Sequence, residues 1–63
     1  MHARSHEITI AVWGRKFRGA YQVEGDQLHV SSPYGSDQEP LVGPDPEGAA
    51  KRLLREIVLK NAR

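Results

Sequence analysis

The chain has 63 residues, no cysteine, one tryptophan and a formal charge of +1. A chain of about 60 residues buries only about 60% of the surface its unfolded form exposes, and without cysteine neither a disulfide nor a Cys-based zinc site can staple it. No apolar run approaches the ~18 residues of a membrane span, and none follows Met1 as a secretory leader would. The expectation is a single cytoplasmic domain over residues 1–63, supported by tight packing or self-association.

Charge is sorted along the chain. Up to Arg18, the cations Arg4, Arg15, Lys16 and Arg18 outnumber Glu7 by three. Residues 19–50 hold no Lys or Arg and six carboxylates, Glu24, Asp26, Asp37, Glu39, Asp45 and Glu47. From Lys51 onward, Lys51, Arg52, Arg55, Lys60 and Arg63 outnumber Glu56 by four. This order favours attraction within a chain, or between copies of it, over one continuous positive field.

Residues 1–6 are expected to fray. His2 and His6 have a spacing that suits a metal only in a helix, with no third ligand near, so neither a metal nor a cofactor is expected. Three strands follow, at about 7–13, 16–24 and 27–32, each alternating apolar with polar residues. Gly14-Arg15 and Gly25-Asp26 separate them, and Gly at the first central position suits a two-residue hairpin turn. Those turns would pair Trp13 with Lys16, Val12 with Phe17, Ile10 with Gly19 and Ile8 with Tyr21, then Val23 with Leu28 and Tyr21 with Val30. Both registers put Ile8, Ile10, Val12, Phe17, Tyr21, Val23, Leu28 and Val30 on one face. Gly19 within that face marks either a bulge or a close approach by another element.

"SSPYGSDQEPLVGPDP" is dense in turn formers, so 33–45 reads as a loop entered by a type I turn at Ser32-Pro33-Tyr34-Gly35. Leu41 and Val42 form either a short fourth edge strand or a cover for the core edge. Asp45-Pro46-Glu47 then reads as N-cap, first helical position and dipole-matched acid. The helix, about 46–61, carries Ala50, Leu53, Leu54, Ile57 and Val58 as one apolar stripe. Leu59 falls on the opposite side among Arg52 and Arg55, and these three residues are the candidate dimer contacts.

The fold class is therefore α+β, a β-β-β-α antiparallel meander packed on one amphipathic C-terminal helix. One outer strand, the first or the third, is left as an open edge that invites a second chain. The long stretch before the helix would also permit helix or strand exchange. The outer sheet face carries Trp13 across from Lys16 and near Arg18, and with Arg15 these residues are the candidate nucleic-acid contacts.

In topology and in its "FRG" the chain is similar to AP2 and integrase-type DNA-binding domains, a resemblance that implies sheet-face DNA binding. The pattern "RG-Y-VEG-V-SSPYG" and the Leu-rich C-terminal helix resemble a group of short bacterial proteins with no assigned activity. That resemblance spans Ile8 to Ile57; it implies a one-domain bacterial protein and supplies no site residues. No nucleophile motif, phosphate loop or carboxylate pair stands out, and His29 is a lone imidazole, so no catalysis and no small-molecule substrate are expected. The leading reading is a non-catalytic homodimeric interaction module; the alternative is a nucleic-acid binder.

Overall fold

The computed structural model describes residues 5–61. Strands β1 (His6–Val12), β2 (Arg15–Glu24), β3 (Gln27–Ser32) and β4 (Gly35–Pro40) follow one another across a single antiparallel sheet. Helix α1 (Pro46–Asn61) packs on one face of that sheet, giving the expected α+β architecture with a fourth strand at its edge.

The first turn differs from expectation. Val12 pairs with Arg15, so the turn residues are Trp13 and Gly14, not Gly14 and Arg15, and their φ angles are 54° and 73°. Two positive φ values are the mark of a type I′ turn, whose twist matches that of the flanking strands. The hairpin slides accordingly: Ile10 opposes Phe17, Ile8 opposes Gly19, and the expected pairing of Val12 with Phe17 is not formed. The faces survive, because moving the register by two residues preserves the alternation.

The second turn is as read. Val23 pairs with Leu28 and Tyr21 with Val30, and Gly25 has φ 63° in a two-residue loop. The third is Ser32-Pro33-Tyr34-Gly35: the Ser32 hydroxyl accepts from the Tyr34 N–H at 3.2 Å and donates to the Gly35 carbonyl at 2.8 Å. This reversal feeds directly into β4, so the segment 33–45 is not all loop, and the fourth strand occupies Gly35–Pro40 rather than Leu41–Val42. Backbone pairing can make it, since only Pro40 among its residues lacks an N–H. Leu41 covers the core edge, its N–H donating to the Asp26 carbonyl at 2.7 Å, whereas Val42 is 86% exposed.

The core joins Ile8, Val12, Phe17, Tyr21, Leu28 and Val30 of the sheet to the full helical stripe Ala50, Leu53, Leu54, Ile57 and Val58. Each large side chain among them contributes about 1.5–3 kcal/mol on burial. Two residues of the expected inner face are less covered. Ile10 is only half-buried on the edge strand, and Val23, which lies beyond the last β1–β2 pair at Tyr21, is 39% exposed. Gly19 lies in unbroken pairing, without a bulge, beneath Leu54.

Asp45 caps the helix as read, its Oδ1 accepting from the Gly48 N–H at 3.0 Å. On the helix Glu47 pairs with Lys51 one turn on at 3.3 Å, and Arg52 reaches Glu39 of β4 at 3.4 Å. Ile57 and Asn61 lie beside Gly35, so the helix runs from the Asp26 end of the sheet to the end holding the Ser32–Gly35 turn.

Candidate interaction surfaces

The β1–β2 hairpin reaches past the rest of the sheet, because residues 15–19 of β2 have no partner on the β3 side. Trp13 stands at its tip, 71% exposed and in a left-handed backbone conformation that costs a bulky residue roughly 1–2 kcal/mol. Arg15, Lys16 and Arg18 are exposed just behind it. Among the described residues the ion pairs are those of Lys51 and Arg52, so these three cations have no carboxylate partner.

The expected arrangement of the four residues is only partly formed. Lys16 and Arg18 do share the outer face, opposite Ala11 and Thr9. Trp13 does not face Lys16 across the sheet, since it belongs to the turn, and Arg15 shares the helix-side face with Phe17. The ring contacts of the fold lie elsewhere: His6 stacks on Tyr21 at 5.0 Å, and Tyr34 meets Phe17 edge-on at 5.1 Å. His6 is therefore a strand residue, not half of a helical histidine pair, while His2 lies outside the described residues.

Further along the outer face, a depression of about 510 Å³ is lined by Gln22, His29, Ser31, Ser36 and Gln38. His29 lies between Gln22 and Gln38, with which it is in register on the neighbouring strands. The amides on either side can each donate and accept hydrogen bonds, so the row could meet a polar group laid across it.

The two edges of the sheet are built differently. β4 ends at Pro40 and sets Asp37 and Glu39 in register with the core residues Val30 and Leu28; such inward charges blunt an edge against pairing. β1, "HEITIAV", has neither proline nor inward charge. Of the two strands read as edges, Gln27–Ser32 is interior and β1 is the open one. A two-residue turn is closed by a pair that exchanges backbone bonds, so Val12, Ile10 and Ile8 bond toward β2. Glu7, Thr9 and Ala11 therefore turn their N–H and C=O groups to the open side, and among the described residues no hydrogen bond reaches them.

The helix outer face is the weaker surface. Leu59 is 40% exposed and Arg55 is exposed, but the Arg52 guanidinium is drawn to Glu39 on the blunted edge. Glu7, Thr9 and Ala11 were not singled out from the sequence, because which amides face outward depends on which pair closes the turn. Comparison with protein-family models, curated proteins and solved structures yields no match for this chain.

Proposed function

We propose that the protein is a non-catalytic interaction module that acts as a homodimer joined along the open edge of β1. The observation that carries this reading is the asymmetry of the edges: β4 is guarded by Asp37, Glu39 and Pro40, and β1 by nothing comparable. An unguarded edge is a template for another strand, and a 63-residue chain with no cysteine gains support from a second copy. Helix exchange is the less favoured form of the dimer, since the connection between β4 and α1 is only Leu41–Asp45 and the helix already fills its own core.

Light scattering on the native chain and on Thr9→Pro tests this. Proline at Thr9 removes only an outward N–H, so the monomer fold is retained. The native mass should be near twice 7.0 kDa and the variant's near 7.0 kDa. A native monomer at high concentration sinks the proposal. A Thr9→Pro dimer that Leu59→Arg dissociates would move the interface to the helix.

A second reading has its own observation: an exposed tryptophan held in a strained turn beside three cations that form no ion pair among the described residues. Trp13, Arg15, Lys16 and Arg18 suit a nucleic acid, with a base on the indole and phosphates on the cations. Binding would quench Trp13 fluorescence at low salt and weaken steeply as salt is added. Absence of quenching at low salt excludes it.

A further inference from the structure

We infer that β1 pairs with β1 of a second copy in the antiparallel register that places Thr9 on the twofold axis. This rests on the homodimer reading above and specifies its interface.

The strand's length selects the register first. β1 has 7 residues, His6–Val12, and Thr9 is its midpoint. A twofold through Thr9 opposes His6 to Val12, Glu7 to Ala11 and Ile8 to Ile10, so every strand residue is paired. An axis at Ile8 leaves Ala11 and Val12 beyond the second copy's strand. An axis at Ile10 sets Glu7 against the second copy's Trp13, which belongs to a turn. The backbone agrees, because Glu7, Thr9 and Ala11 carry the outward groups and, in this register, meet only one another. Each such pair exchanges both of its bonds.

The side chains agree on both faces. Toward the helices, the half-buried Ile10 comes to lie beside the second copy's Ile8, which covers the one inward-facing aliphatic residue of β1 that the monomer leaves partly wet. On the outer face Thr9 meets its own copy, a favourable cross-strand pair. Glu7 meets the second copy's Ala11, a side chain too short to screen it from what lies behind. Behind Ala11 is Lys16 and behind Thr9 is Arg18, each on the adjacent strand and, among the described residues, neither in an ion pair. The acid of one copy thus reaches the cations of the other, twice per dimer.

Because the chain has no cysteine, Thr9→Cys introduces a single thiol. In this register the two Thr9 Cα atoms lie about 5.5 Å apart, within the roughly 4.4–6.8 Å that a disulfide spans. Glutathione disulfide is the oxidant: it is reduced to two glutathiones as the two thiols lose their hydrogens and join. Near-complete covalent dimer on a non-reducing gel is the expected result for Thr9→Cys. An equimolar mixture of Glu7→Cys and Ala11→Cys chains should link to each other. Ala11→Cys alone should not link, since its copies stand four residues apart along the strand, about 13 Å. If Thr9→Cys fails to link while sedimentation still shows a dimer, or if Ala11→Cys links faster, the register is wrong and the homodimer stands. If sedimentation shows only monomer, the reading beneath it falls as well.

Discussion

Leu54 sits directly on Gly19: a methyl placed on this glycine would meet both Leu54 δ carbons at 3.1 Å and the Ser31 carbonyl oxygen at 3.0 Å. The helix approaches the sheet as closely as it does because β2 has no side chain there. Replacing Gly19 by Ala narrows the unfolded ensemble, a gain of about 0.4–1 kcal/mol, but overpacks the contact at a cost of roughly 1–3 kcal/mol. Gly19→Ala should therefore lose about 1–2 kcal/mol of stability in denaturant unfolding. In a Leu54→Ala background the added loss should shrink, and a double-mutant cycle reads that coupling.

Trp13 is 71% exposed, yet it holds a φ of 54°. Asparagine tolerates this conformation at the first position of a type I′ turn. Trp13→Asn should raise stability by about 1 kcal/mol, seen as a melting point about 4–8 °C higher. A lower melting point would mean that the indole packs in a way the turn geometry does not account for.

The cap at Asp45 is a local interaction with a local consequence. Asp45→Ala removes the acceptor for the Gly48 N–H and should cost about 0.5–2 kcal/mol. Asp45→Asn or Asp45→Ser should recover most of it, whereas Arg52→Ala, which breaks an exposed pair with Glu39, should cost under about 1 kcal/mol. Circular dichroism melts of the four variants give the ranking directly.

What the sequence made legible follows from the range of each interaction. Asp45, the stripe from Ala50 to Val58 and the Gly25 turn are specified by residues within a few positions of one another, and all three are found as read. β4 is not legible as alternation, because an edge strand of six polar and small residues gains its place from backbone pairing with β3 and from Glu39 reaching Arg52, 13 positions away. The Trp13-Gly14 turn runs against residue preference, since Gly-Arg looks the better turn and a tryptophan at positive φ does not. That slip left the side-chain faces intact but exchanged the two sets of β1 amides. With Trp13 closing the turn, Glu7, Thr9 and Ala11 would bond inward and the open edge would belong to the even-numbered residues.

The charge pairing across the proposed interface can be reversed and rescued. Glu7→Lys should weaken the dimer several-fold by setting like charges near each other, less so at high salt. Lys16→Glu with Arg18→Glu in the same chain should restore it. If the triple variant associates no better than Glu7→Lys alone, Glu7 does not face those cations.

The central claim is that the outward amides of β1 are covered by a second chain, and amide hydrogen exchange followed by NMR over a dilution series addresses it residue by residue. At high concentration Glu7, Thr9 and Ala11 should be as protected as Ile8 and Ile10, and on dilution they alone should lose protection. If only Ile8, Ile10 and Val12 are protected at every concentration, the edge is open in solution and the homodimer account is contradicted.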